Sequence, residues 1–267
     1  VAQAPTDLHP LTLTREADGV AFIHINRPPA NSYNKAFMDD LNAIVDEIRF
    51  DDAIHSAVLM SDLAPKFFCA GADINMFRDT SPIQRSMIIL HMHEILQKIE
   101  RTPKVFVAAI SGHALGGGLE IALACDVRIA AEGEYRVGLP EVTLGLLPGN
   151  GGTQRLPRLV GRAKSLDMML TGDPVNPKTA LEIGLVDKLV PADDVLAEAS
   201  KYAKRLAGGA TFAIGSIKLS AKQGIELPLD GALALERHAL WGVFASDDAA
   251  EGLAAFKEKR SPNWTGR

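Results

Sequence analysis

Cysteine is scarce in this chain: Cys69 and Cys125 are the only two among 267 residues. Two thiols cannot build a disulfide framework, and neither stands in a CxxC spacing, so packing thiols in a reducing, cytoplasmic setting are expected. Long apolar runs are missing too, since no stretch approaches the roughly 20 apolar residues that cross a bilayer. The opening VAQAPTDLHPL has neither the basic nor the apolar region of an export signal. No membrane association is expected. An excess of positive charge is also absent: 28 Lys plus Arg face 33 Asp plus Glu, a net charge of −5. General attraction to nucleic acid or anionic lipid is therefore not expected. No tandem repeat at a fixed period and no low-complexity tract occurs, which disfavours solenoids and propellers.

Several enzyme signatures are lacking as well. Without a G-x-x-x-x-G-K-[ST] phosphate loop or a G-x-S-x-G nucleophile elbow, P-loop NTPase and α/β-hydrolase chemistry lack their central parts. GNGGTQ (149–154) carries Gln154 where a dinucleotide fingerprint has its third glycine, and it follows no clear strand. His91 and His93 diverge on a helix and His113 stands alone in a turn, so no metal site is read from them.

What is present is an ordinary globular composition, 47% hydrophobic and 23% charged. A chain of this length can bury roughly 70–75% of its unfolded surface. The first two-thirds alternates strand and helix patterns. GVAFIHIN (19–26) reads as a strand, and Asn34 can cap a helix whose apolar positions are Phe37, Leu41, Ile44, Val45 and Ile48. SAVLM (56–60), VFVAAI (105–110), DVRIA (126–130) and LVDKLV (185–190) read as further strands, and 82–101 as a helix ending before Pro103. After Pro191 only helical patterns follow, over 193–207, 211–223, 228–245 and 247–258. The expectation is an α/β fold, with a core over 1–191 that carries the site and a C-terminal helical module over 192–267.

Three glycine-containing segments carry the chemical signal. In KFFCAGADINMF (66–77) small residues let a backbone amide approach a ligand, and Asp73 can cap a short helix starting at Ile74. Alone, AGAD is more often just a tight turn. In SGHALGGGLEIALACD (111–126) three glycines open an apolar helix and expose unpaired amides, a natural oxyanion site. Glu120, one helical turn beyond Gly117, is costly to bury among apolar residues without partners or a function. Read alone, it is also compatible with a first-turn carboxylate on the helix dipole. In VGLPEVTLGLLPGNGGTQRL (137–156), Glu141 follows Pro140 at a helix start, again among apolar residues. The Pro148–Gly152 stretch reads as a loop that brings backbone close to a small ligand or a water.

Taken in order, AGADI (70–74), HALGGGLEIALACD (113–126) and LPEVTLGLLPGNGGTQRLPRLVG (139–161) resemble the crotonase family, specifically its enoyl-CoA hydratases. The resemblance runs from INRPPANS (25–32) through TGDPVNPKTALEIGLVDKLVP (171–191) to EGLAAFKEKRSPNW (251–264). It implies a crotonase-like spiral of ββα units capped by C-terminal helices, assembled as homotrimers or hexamers. It further implies an oxyanion hole from the Ala72 and Gly117 amides and catalytic carboxylates at Glu120 and Glu141. Gly149 would lie near the attacked water. Ala30, Ala70, Ala72, Asp73 and Ile74 would line the coenzyme A path, with Phe256 and Lys259 reaching its nucleotide end across a subunit boundary. Two departures stand out. Glu120 and Glu141 are 21 positions apart, one more than in the hydratases compared, with the extra residue assigned to a hairpin-like AAEGEYR (130–136). PANS followed by Tyr33 also differs from the commoner pattern.

The implied reaction is reversible addition of water to a 2-trans-enoyl-CoA, as in fatty-acid or related acyl-CoA degradation. No metal or redox cofactor is required, coenzyme A being part of the substrate. Glu120 would activate water and Glu141 transfer the proton at the α-carbon. The nearest alternative is an enoyl-CoA delta isomerase or another acyl-CoA lyase of the same family, and possession of both glutamates favours the hydratase. A non-catalytic coenzyme-A- or RNA-binding protein is the alternative of a different class.

Overall fold

The computed structural model describes residues 9–78 and 80–267; most of the opening segment read above for an export signal lies outside them. An antiparallel edge strand, β1 (Leu11–Arg15), pairs with β2 (Val20–Ile25). Parallel β3 (Ser56–Ser61), β5 (Val105–Ile110), β7 (Val127–Ala131) and β9 (Lys188–Val190) then extend a six-stranded sheet. All six residues of β5 are buried, as a strand covered on both faces requires. β1 is an addition to the strands that the sequence pattern marks. LVDKLV reads as a strand throughout, but only its last three residues pair, because Asp187 turns its backbone and carboxylate to Arg128.

A second sheet positions the site. Three short strands, β4 (Phe67–Cys69), β6 (His113–Leu115) and β8 (Val137–Gly138), pair in parallel. Each follows a long strand and precedes a helical turn. β3 is followed by β4, a 3-10 turn at Ile74–Phe77 and helix α2 (Pro82–Arg101); β5 is followed by β6 and α3 (Gly117–Ala124). β7 is followed by β8, a 3-10 turn at Glu141–Leu144 and α4 (Gly152–Val160). These are three ββα turns of a spiral. Their unequal lengths explain why no fixed period shows in the sequence. The AAEGEYR stretch is therefore not a hairpin: it links strands of two different sheets, and Tyr135 is buried with its hydroxyl donating to the carbonyls of Ile110 and Ala131.

The helices form where their caps and apolar spacing dictate. Asn34 caps α1 (Lys35–Phe50) by accepting from the Phe37 amide, and Phe37, Leu41, Ile44, Val45 and Ile48 are all buried. Ser81 and Gln84 form a reciprocal capping box on α2, with Pro82 at its first position. α5 (Arg162–Thr171) and α6 (Pro177–Glu182) lead back to the sheet. Past Pro191, α7 (Val195–Ala207) lies across the large sheet with Val195, Ala199, Ala203 and Ala207 buried. α8 (Thr211–Gly224), α9 (Leu229–Phe244) and α10 (Asp247–Glu258) complete the chain.

Asn31 ties the two sheets together. Fully buried, it donates to the carbonyls of Ile25 and Phe68 and to Ser61 Oγ, and accepts from the Arg27 amide. The head of α3 is then pressed against β4: a Cβ on Gly118 would lie 2.0 Å from the Cys69 carbonyl oxygen. Gly118→Ala is expected to push α3 off β4 and cost about 1–3 kcal/mol, as overpacking of a rigid contact does. Urea denaturation checks this, and an unchanged midpoint would show that the contact is soft.

Candidate active site

The three segments singled out in the sequence occupy equivalent places in the spiral. Each begins where a strand of the small parallel sheet ends: Ala70–Ile74 after β4, Gly116–Glu120 after β6, and Leu139–Glu141 after β8. Carboxyl ends of parallel strands are where such sheets hold ligands.

In the first segment Tyr33 pairs with Ala72 as an isolated parallel bridge. The Tyr33 amide donates to Gly71 O at 2.9 Å and its carbonyl accepts from the Asp73 amide at 2.9 Å. Both bonds of the bridge are made by Tyr33 with the neighbours of Ala72, so the N–H of Ala72 itself points away from Tyr33. Asp73 caps the Ile74–Phe77 turn through the Asn75 amide and pairs with Arg27 at 3.0 Å. Ala70 donates its amide to the Ala30 carbonyl at 3.0 Å, so these two expected path residues adjoin. Ile74 is exposed.

In the second segment Gly116 takes φ 54°, and Gly117 is the first helical residue of α3, where an amide has no intrahelical acceptor. Glu120 is 1% exposed. A first-turn carboxylate serving only the dipole of its own helix would stay in water. Instead, Glu120 Oε1 accepts from the amides of Asn150 at 2.8 Å and Gly152 at 2.7 Å, at the N-terminus of α4. Burial pushes its pKa up to about 7, opposed by the Gly152 and Asn150 amides and assisted by the charge of Glu141.

In the third segment Glu141 opens its 3-10 turn with one carboxylate oxygen buried and unpartnered. Burial raises its pKa as well. A Cβ on Gly116 would lie 2.9 Å from Glu141 Oε1, and one on Gly152 would lie 2.9 Å from Glu120 Oε1. Glu141 thus abuts the Gly116–Gly117 turn and Glu120 the start of α4, near enough for the charge of Glu141 to act on Glu120. This is a hydrogen-bond-donating corner with two carboxyl groups of raised pKa, suited to stabilising a developing oxyanion while moving protons.

The stretch read as a loop through Gly152 is shorter, because Gly152 already belongs to α4 with Gly151 as its cap. Gly149 precedes Asn150, whose amide holds Glu120, and its carbonyl is bonded to His93 Nε2 of α2. Arg155 braces this turn, donating to the Asn150 carbonyl at 2.8 Å and pairing with both oxygens of Glu100. Sequence reasoning gave no role to Asn150, His93 or Arg155: Asn150 and Arg155 lie within the third segment without a signal of their own, and His93 joins them only in space. Phe256 and Lys259 stand exposed at the end of α10, whose main packing is against α9. Within one chain they are not part of this cluster. Among the described residues no group of three or more His, Cys, Asp or Glu side chains is placed to hold a metal ion.

Known proteins are similar to this chain in sequence and in fold. The crotonyl-CoA hydratase of Syntrophomonas wolfei is 36% identical over 94% of this chain and 96% of its own. The short-chain-enoyl-CoA hydratase of Clostridium acetobutylicum is 35% identical over 95% of this chain and 97% of its own. Among solved structures, the enoyl-CoA hydratase of Bacillus anthracis superposes with a TM-score of 0.92 at 35% identity, over 97% of this chain and all of that one. A Geobacillus kaustophilus protein reaches 0.94 at 47% identity, covering 97% of both chains. The enoyl-CoA hydratase/isomerase profile matches residues 15–267, and with these relatives it establishes that the chain belongs to that family, the crotonases.

Proposed function

We propose that this chain is an enoyl-CoA hydratase that adds water reversibly across the double bond of a 2-trans-enoyl-CoA. The observation that carries the reading is the pair of carboxyl groups with raised pKa beside the head of α3, where the Gly117 amide has no intrahelical acceptor. The curated relatives named as hydratases support it. The Ala72 and Gly117 amides would donate to the thioester oxygen as it gains negative charge, each such donor typically contributing about 2.7–4 kcal/mol. Glu120, held by two amides, would take a proton from water as its oxygen bonds the β-carbon. Glu141 would deliver a proton to the α-carbon, so that the elements of water are added and no electrons are exchanged. The reaction as written consumes no metal or redox cofactor. Ala70, Asp73 and Ile74 lie along the first segment and Ala30 beside it, where the coenzyme A moiety would pass.

An isomerase shifting a double bond needs only one carboxylate near position 141. The elaborate hold on Glu120 favours hydration. Two buried thiols, Cys69 and Cys125, suit a reducing, cytoplasmic setting for acyl-CoA degradation.

The assembly belongs to the same proposal. α9 has no buried residue, although Leu229, Trp241 and Phe244 are 72%, 76% and 65% exposed. An apolar helix left in water is a strong argument for a covering surface. We take that surface to be further copies of the chain in a trimer or hexamer, with Phe256 and Lys259 directed to a neighbouring site. Sedimentation at micromolar concentration is expected to give a trimer or larger, and a fully active monomer would exclude this assembly.

Glu120→Gln and Glu141→Gln are each expected to lower hydration of crotonyl-CoA by about 10²–10⁴-fold while thioester binding persists. The double variant should lose less than the product, because the two act as a unit. Rates of hydration and of 3-enoyl to 2-enoyl isomerisation, measured side by side, decide between the readings. Hydration that survives Glu120→Gln would remove the water-activating role, and a wild type that only isomerises would overturn the hydratase.

Two pH effects follow from the raised carboxyl values. Hydration needs one carboxyl ionised and the other protonated, so kcat/KM should be bell-shaped, with an acid limb near pH 7 belonging to the pair. A stopped-assay pH series that stays flat between pH 5 and 8 would contradict it. For stability the sign is opposite to a salt-bridged carboxylate. Glu120 ionises less readily folded than unfolded, so it costs nothing below about pH 4.5 and its full penalty, about 3 kcal/mol, above about pH 7. Glu120→Gln should therefore gain stability over the wild type as pH rises through that window, as read by denaturation at pH 5 and pH 8.

A further inference from the structure

Tyr33 touches all three parts of the site. Its backbone flanks Ala72, as the donor to Gly71 and the acceptor from Asp73. Its ring edge lies against Gly117, where a Cβ would come within 2.4 Å of Cε1 and 3.0 Å of the hydroxyl. Its hydroxyl accepts from Asn150 Nδ2 at 2.7 Å, and Asn150 is the residue whose amide holds Glu120 Oε1 at 2.8 Å. Tyr33 and Asn150 are 3% and 1% exposed, and Asn150 Oδ1 is buried without a partner.

Packing alone does not account for this pair. Phenylalanine would fill the same space without a buried hydroxyl, and an apolar residue at 150 would leave no orphaned oxygen; replacing both partners of such a bond by apolar groups is often nearly neutral. Nor is the phenol suited to proton transfer. Burial, reinforced by the charges of Glu120 and Glu141 and only partly opposed by the Asn150 bond, holds it far above its ordinary value and hence neutral. What the hydroxyl does is fix the Asn150 side chain, and with it the turn that presents the Asn150 and Gly152 amides to Glu120.

We propose that Tyr33, acting through Asn150, is a positioning residue that sets the Glu120 carboxylate relative to the Ala72 and Gly117 amides. The inference rests on the hydratase reading for its kinetic consequence but on geometry for its effect on Glu120. The charged and titratable groups that face Glu120 are Glu141 and Arg155, with Tyr33 itself, so the Glu120 titration reports whether its amide bonds survive.

The test compares Tyr33→Phe, Asn150→Leu and the double variant with the wild type. Tyr33→Phe is expected to lower kcat for crotonyl-CoA by about 10–10²-fold, the worth of a hydrogen bond that holds a charged group, with KM changed less than about threefold. The Glu120 carboxyl, followed by ¹³C-glutamate NMR, should titrate higher than in the wild type as its amide donors slacken. The double variant should regain thermal stability lost in the single ones, since no orphaned polar group remains, yet keep the low kcat. Tyr33→Phe with wild-type kcat and an unmoved Glu120 titration would overturn the proposal. So would a double variant that regains kcat together with stability, which would mark the pair as packing. A wild type inert toward crotonyl-CoA would sink the hydratase reading instead, and the Glu120 titration in Tyr33→Phe would then still decide the positioning role.

Discussion

A carboxylate sealed from water at the head of an apolar helix is the constraint on which the rest of this site depends. Glu120 lies in α3, every residue of which is buried. An isolated buried carboxylate is too costly to keep ionised. Two amides at the N-terminus of α4 supply enough compensation to hold it near neutrality rather than far above it. Those amides come from outside α3, from Asn150 and Gly152 at the start of α4. The turn at Gly149–Gly151, its brace of Arg155 on Glu100, and the His93 contact to Gly149 all follow from that need.

The spiral explains how such distant residues meet. Successive ββα turns bring the ends of β4, β6 and β8 side by side, so that one residue cluster is built from segments near positions 72, 117 and 141. The approach is close enough that side chains are excluded at the junctions: Gly118 abuts the Cys69 carbonyl, and Gly116 abuts Glu141. Small residues in these segments serve contact between layers as much as access for a ligand. Asn31 has a corresponding role between β4 and the large sheet, satisfying the Phe68 and Ile25 carbonyls.

Much of this is legible in the chain. Helix α1 is announced by its Asn34 cap and apolar spacing, α2 is bounded by Pro103, and the buried strands β3 and β5 stand out as continuous apolar runs. Glu120 and Glu141 stand out as isolated carboxyls in apolar surroundings, a local feature that sequence displays directly. The short strands β4, β6 and β8 leave no such trace, since two or three residues carry no periodicity and their pairing is entirely non-local. AAEGEYR looks like a hairpin because its polar and glycine residues mimic one, whereas past the end of β7 only Tyr135 in it is buried and anchors it.

By itself the sequence determined the α/β-then-helices order, the family, the absence of any membrane-length apolar run, and the two carboxyl groups available for chemistry. These depend on composition, periodicity and motifs, which are local in the chain. Only the tertiary structure decided that Glu120 is held by the α4 amides instead of facing water, and that Tyr33, Asn150 and His93 belong to the site. Partners separated by 30 to 117 positions are involved in those bonds. No local rule specifies such pairings, because they exist only once the spiral has closed and water has been excluded from between its turns.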